Sequence, residues 1–272
     1  MNGMDTGTGI TPGAGEEGPT TARAVRREHD IIRAFVDLSD ELVNDYDVLE
    51  MLSRLTAHCA ELLDIASAGL LLADERGVLH LAAASSERTQ QLELFQLQRD
   101  EGPCLDCYRD GATVTAPDLA AEEQRWPQFT RAALDAGFAS VHAVPMRLRG
   151  YVLGGLGLFG ESVGHLEESD LGLAQSMAHV ASVAIVNEKS AADLATVNTQ
   201  LQHALNSRVV LEQAKGVIAH AGGLAIDDAF VVLRRYARDH GRKLGDVAAQ
   251  VVNRELRGEA LVQYVRTTAG DG

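Results

Sequence analysis

The sequence predicts an α+β protein in which an antiparallel sheet flanked by helices is followed by a long helix leading into a three-helix module. Three observations predict it. Short apolar runs come in pairs joined by tight turn signals, which makes hairpins rather than helical crossovers. Segments with apolar residues three and four apart stand before, between and after those pairs, as amphipathic helices require. No Pro or Gly interrupts the chain between Gly172 and Gly216, so one helical pattern runs from the sheet region into the last quarter.

Taken in order, residues 1–20 are rich in Gly, Thr and Pro without apolar periodicity and read as a disordered tail. Residues 21–47 read as an N-terminal helix, with Ile31, Ile32, Phe35, Leu38, Leu42 and Val43 on one side. Asp47 suits the N-cap of the next helix, which carries Val48, Leu49, Leu52, Leu55, Cys59, Leu62 and Leu63. Residues 68–73 and 78–84 are apolar runs joined by Asp74-Glu75-Arg76-Gly77, a hairpin. A helix follows over 87–98, then a Gly/Pro-bounded loop over 101–111 holding Cys104-Leu105-Asp106-Cys107. Val114 starts a brief strand, and Trp126-Pro127 opens a helix because proline fits a first turn. Residues 140–148 and 151–159 form a second hairpin through Arg149-Gly150. Gly154, Gly155 and Gly157 lie inside that last strand, where glycine permits a bulge or a close backbone approach rather than a phosphate loop.

A helix begins near Glu167 or Ser169 and has no visible stop. Val183, Val186, Ser190, Leu194, Val197, Leu201 and Ala204 make a seam of threes and fours along it, the pattern of a helix that pairs with a second copy. Packing on its own domain is the alternative. After Gly222-Gly223, Asp227-Asp228 cap a second helix and residues 244–256 form a third, leaving 257–272 as a C-terminal tail. Three helices of this size have little core, so the module must borrow apolar contact from elsewhere.

The net charge of −15 argues against nucleic acid for the chain as a whole. From Leu194 onward, however, ten Lys/Arg meet eight acids, so that segment is +2 and the rest −17. Nothing approaches the ~18 apolar residues of a membrane span. The N-terminus lacks the basic and apolar regions of an export signal. A cytoplasmic protein is expected.

The stretch A-L-N-S-R-V-V-L-E-Q-A-K-G at 204–216, with Ala229-Phe230, Leu233-Arg234, Ala237, Leu244 and Asp246-Val247-Ala248, resembles the ANTAR RNA-binding module over 191–256, opening on a coiled-coil helix. Leu211 stands where the family usually has isoleucine, and His220-Ala221 where many members carry a charged pair. The preceding segment, 48–190, resembles a GAF sensor domain of the actinobacterial GAF–ANTAR type. That likeness rests on Asp74-Glu75-Arg76-Gly77, residues 92–98, Gly102-Pro103-Cys104-Leu105-Asp106-Cys107, Arg125-Trp126-Pro127 and residues 143–150. The resemblance implies a GAF-type antiparallel sheet and a transcription antitermination regulator whose dimer binds paired hairpins in leader RNA, with no DNA and no membrane partner. It also implies a sheet-face pocket for a small ligand, whose identity nothing in the sequence names. The cations that would meet phosphates are Arg208 and Lys215, seven apart on one face, then Arg234, Arg235 and Arg238, then Arg242 and Lys243. Leu194, Val197, Leu201 and Ala204 would be the dimer seam. Tyr236 is an aromatic that could stack on a base or lie in the core.

Other chemistry is thinner. Cys104 and Cys107 are a candidate redox pair or two inert thiols, and Asp100, Glu101 and Asp106 nearby would raise their pKa and dull them. A zinc site would need further ligands, and Cys59, His58 and His142 are not at a spacing that demands one. No catalytic motif stands out, so an enzyme is not expected. The alternative reading is a ligand- or redox-sensing GAF protein whose helical tail binds protein rather than RNA.

Overall fold

The computed structural model describes residues 19–43, 48–186 and 194–269, with side chains over 26–38, 48–185 and 207–267. The expected disordered tail falls outside these residues except for Pro19 and Thr20, which open the first helix, and so does the Asp47 cap. Helix α1 (Pro19–Val43) and α2 (Val48–Leu62) precede the hairpin β1 (Ser67–Ala73) and β2 (Leu79–Ala84). Then come α3 (Glu87–Arg99), α4 (Pro103–Asp110), β3 (Val114–Ala116) and α5 (Pro127–Asp135). The second hairpin, β4 (Ser140–Leu148) and β5 (Tyr151–Gly160), leads into α6 (Glu168–Val186).

The five strands form one sheet in the order β2-β1-β5-β4-β3, with every neighbouring pair antiparallel. Both faces are covered. Leu70, Leu72, Val144, Leu156 and Leu158 point toward α1, α2 and α6, whereas Leu71, Val141, Ala143 and Phe159 point toward α3, α4 and α5. The alternation is the period of two that a strand imposes. The turns have the chemistry their sequences promised. Asp74 Oδ1 accepts from the backbone N–H groups of Arg76 and Val78, at 2.9 Å each, and Gly77 has φ of 77°. Arg149 and Gly150 take φ of 50° and 88°, the two positive values of a tight hairpin turn.

The segment expected as a loop over 101–111 contains a helix instead. Pro103 supplies a first-turn residue with no N–H to leave unpaired, and Gly111, at φ 58°, ends α4 in the left-handed conformation. Gly102 and Gly111 are helix boundaries here, not loop interior.

The C-terminal part consists of α7 (Leu194–Gly222), α8 (Ile226–Asp239), α9 (Leu244–Val252) and α10 (Gly258–Ala269). The last replaces the expected tail. Leu261 and Val262 of α10 are buried with Leu211, Ala214, Ile218, Leu233, Val247 and Val251, so the fourth helix enlarges the module's small core. Ala225, not an aspartate, stands at the N-cap of α8, and Asp227 and Asp228 lie in its first turn, where the helix dipole favours them. Ala214 is buried where helices meet, but Gly216 faces open space, so close packing does not explain it. Helices α6 and α7 lie against each other. The part of the expected long helix that joins them, residues 187–193, lies outside the described residues. Leu194, Val197, Leu201 and Ala204 belong to α7, but their side chains lie outside the described residues, and the expected dimer seam stays an expectation. Among the described residues no single helix is long and apolar enough to cross a membrane.

Candidate functional site

Among the described residues, two clusters of interacting ionisable side chains lie away from water. The first is on the sheet face beneath α3 and α4. Gly69 of β1 and Gly157 of β5 are register partners. A Cβ at Gly157 would meet Cys104 Sγ at 2.7 Å and Glu93 Oε1 at 2.8 Å, and one at Gly69 would meet Glu93 Oε1 at 2.6 Å. The two glycines clear a floor, and Glu93 occupies it. The close backbone approach expected of the strand glycines is at Gly154, where a Cβ would meet the Leu71 carbonyl oxygen at 1.9 Å.

Glu93 is fully buried. Its carboxyl accepts from Gln96 Nε2 and, at 3.5 Å, from Cys104 Sγ, while Gln96 Oε1 accepts from the Cys104 backbone N–H at 3.2 Å. Burial pushes its pKa up to about 8, against the pull of the hydrogen bonds from Cys104 and Gln96. At neutral pH Glu93 is mostly a carboxylic acid. The adjoining hydroxyls of Ser67 and Thr89 bond to each other.

Cys104 and Cys107 are free and buried beside this acid. Burial raises the Cys104 thiol well above its ordinary value, and Glu93 and Cys107 push the same way. Burial lifts Cys107 to about 12, with Arg147 pulling down and Asp110 pushing up. Burial is the main cause, not the acids Asp100, Glu101 and Asp106. Asp106 instead accepts from Trp126 Nε1 and Arg125 Nε at 3.1 Å each. Glu101 Oε1 caps α5 through the N–H groups of Gln128 and Phe129, at 2.6 and 2.9 Å. Asp100 pairs with Arg109. Protonated, enclosed thiols are poor nucleophiles.

His142 bonds to the Gly164 carbonyl at 3.3 Å, and burial lowers its pKa; His80 bonds to Asp74 at 3.0 Å. Burial likewise lowers the pKa of His58. Among the described residues no group of three or more His, Cys, Asp or Glu side chains is placed to hold a metal.

The second place is the face of α7 that turns toward the α+β domain. Arg208 and Lys215 are 8% and 5% exposed. Glu212 lies between them, one turn from each: Arg208 Nη2 reaches its carboxylate at 2.7 Å and Lys215 Nζ at 3.1 Å. Lys215 also sits 5.7 Å above the Phe230 ring. Burial lowers the Arg208 pKa while Glu212 raises it. Gln90 of α3 closes the arrangement, accepting from Arg208 Nη2 at 3.0 Å and donating to Glu212 at 3.4 Å. One helix over, Arg234 Nε donates to Glu50 of α2 at 3.0 Å. The two cations that the spacing placed on a common face do share one, and it is an inner face.

The remaining expected cations are more open than Arg208 and Lys215. Arg235 and Arg238 lie 3.6 and 3.4 Å from Asp239, and Arg238 is 68% exposed. Exposed Arg242 donates to Gln250 at 2.6 Å, and Lys243 is half-buried with a partner of its own. Tyr236 stacks on His240, ring centroids 4.0 Å apart, and meets Tyr264 of α10 edge-on at 5.3 Å. Its ring is half-buried. Sequence reasoning missed Glu93, Gln96, Gln90 and Glu50. The acid four residues from Arg208 and three from Lys215 was a legible signal, whereas Gln90 and Glu50 lie too far away in sequence to be paired by spacing.

With the geometry in place, comparison identifies both parts. Residues 199–252 match the family model of the ANTAR domain, and residues 45–186 that of the GAF domain. Solved structures align with the chain at low identity. A GAF domain of an Acinetobacter phosphoenolpyruvate-protein phosphotransferase is 15% identical, with a TM-score of 0.46 over 60% of this chain and 96% of its own. The free methionine-R-sulfoxide reductase of Neisseria meningitidis, in complex with its substrate, is 20% identical, with a TM-score of 0.46 over 60% and 89%. The GAF domain of a Coxiella burnetii phosphotransferase is 15% identical, with a TM-score of 0.46 over 58% and 93%. No curated protein matches the chain. The GAF model spans more than half of the residues, from the start of α2 to the end of α6, and on that match the chain belongs to the GAF domain family and carries an ANTAR domain behind it.

Proposed function

We propose that this chain is an RNA-binding regulator of transcription antitermination, in which the GAF domain controls an ANTAR module that binds paired RNA hairpins as a homodimer. The ANTAR match over 199–252 carries the reading, and the charge contrast supports it: +2 from Leu194 onward against −17 before it. Arg238 and Arg242, at the end of α8 and in the turn after it, are exposed and the first of the expected cations to meet phosphates; Arg208, Lys215, Arg234, Arg235 and Lys243 would add to them. Tyr236 and His240 offer ring faces for an unstacked loop base.

The test is a salt series with the full chain and a two-hairpin RNA. Affinity should fall steeply with salt, and Arg238→Ala and Arg242→Ala should each weaken binding and flatten the slope by roughly one. An affinity indifferent to salt and to both substitutions overturns the reading. Native mass spectrometry with and without RNA reads the dimer.

A further inference from the structure

We propose that the GAF domain holds the ANTAR module in a closed arrangement, with α7 and α8 turned inward, so that docking on the GAF domain and binding of RNA compete for one face. The inference rests on the RNA reading above and adds the device that regulates it.

Leu49, Glu50 and Gln90, on α2 and α3 of the GAF domain, anchor the closure, beside the packing of α7 on α6, β1 and β2. Leu49 of α2 is 2% exposed and belongs to the core cluster of the helical module, among Leu211, Val247 and Val251. Beside it, Glu50 pairs with Arg234 of α8. On α3, Gln90 bridges Arg208 and Glu212 of α7. Residues more than a hundred positions apart thus meet on one seam.

The seam takes up what RNA would need. Phosphate contact requires a cation that water and a polyanion can reach. Arg208 is closed off by Gln90, and Arg234 already has a carboxylate where a phosphate oxygen would lie. The closing contacts suit a reversible catch. Leu49 enters the module's apolar cluster from the GAF side. The Arg234–Glu50 pair is partly exposed and weak, its side chains being 39% and 27% open. A signal that shifts α2 or α3 releases α7 and α8 together. α3 also carries Glu93, the buried acid of the sheet face, so a change at that site moves the helix that holds Gln90.

The experiment uses the full chain and a two-hairpin RNA. Leu49→Ser, Glu50→Gln and Gln90→Ala are compared with wild type and with Glu167→Gln, an exposed acid at the start of α6 that makes the same charge change away from the seam. Hydrogen exchange of α3 and α7 reads the docking without RNA. If the competent arrangement is a minor population, opening tightens the apparent affinity by the inverse of that fraction. Leu49→Ser should speed exchange on α7 and tighten RNA binding about tenfold or more. Glu50→Gln and Gln90→Ala should do so by smaller factors, and Glu167→Gln should match wild type. Faster exchange with unchanged or weaker RNA affinity overturns the competition, and unchanged exchange in all three seam variants overturns the docking itself. If exchange shows the module released and still no variant binds RNA, the RNA reading fails and the competition with it. Glu50→Gln and Gln90→Ala are surface changes, so their outcome stands even if Leu49→Ser perturbs folding.

Discussion

The GAF domain and the ANTAR module bury ionisable groups by opposite means. In the GAF domain Glu93 has no cation beside it, and burial pushes its pKa to about 8, so the group is kept by surrendering its charge. In the module Arg208 and Lys215 are paired with Glu212, which stands between them at 2.7 and 3.1 Å. A lone acid can neutralise itself with a proton at modest cost. A guanidinium cannot give its proton up, so it must be paired or brought to water. The first arrangement is sensitive to pH, whereas the second is sensitive to loss of its partner.

The sharpest way to break the comparison is at Glu212. Glu212→Gln leaves two enclosed cations facing a neutral amide, and breaking a buried pair in this way costs about 3–5 kcal/mol. Urea unfolding of the full chain should show that loss. A cost under about 1 kcal/mol would mean that the cations reach water and need no carboxylate.

The next largest effect is at Glu93. Its folded pKa, about 8, stands above its ordinary 4.5, so between those values the folded state binds more protons than the unfolded one. Its contribution is therefore full below about 4.5 and is lost as pH rises toward about 8, at up to about 1.4 kcal/mol per pH unit. Glu93→Gln should flatten that part of the thermal midpoint's pH profile. Superimposable profiles for variant and wild type would show that the acid is not held neutral.

A smaller effect tests the floor beneath the acid. Gly157→Ala places a methyl 2.7 Å from Cys104 Sγ and 2.8 Å from Glu93 Oε1, and overpacking of this kind costs about 1–3 kcal/mol. The same calorimetric scan reads it. A neutral outcome would mean that α3 and α4 yield easily.

Much of the fold was legible because it is written in local pattern. Asp74 to Gly77 and Arg149-Gly150 announced their hairpins, since turn chemistry depends on a few adjacent residues. Proline at Pro127 announced α5. The misses have local causes too. Glycines at 102 and 111 resemble loop boundaries as well as helix ends, and an eight-residue helix is too short to show its period. Helix α10 left a signal in Leu261, Val262 and Val265, three and four apart, that the charged residues around it obscured.

For the sites, the sequence by itself determined which residues are present and which are near one another along a helix. The run at 204–216 put Arg208, Glu212 and Lys215 on one face, because 3.6 residues per turn allows no other arrangement. Only the tertiary structure decided which way that face looks. Leu49, Glu50 and Gln90 come from helices more than a hundred residues away, and they turn it inward. The same holds for Glu93, whose charge depends on two glycines and a cysteine from other elements. Spacing fixes neighbours within an element, but burial is a property of what packs against it, and burial sets whether a charge meets solvent, a partner or a proton.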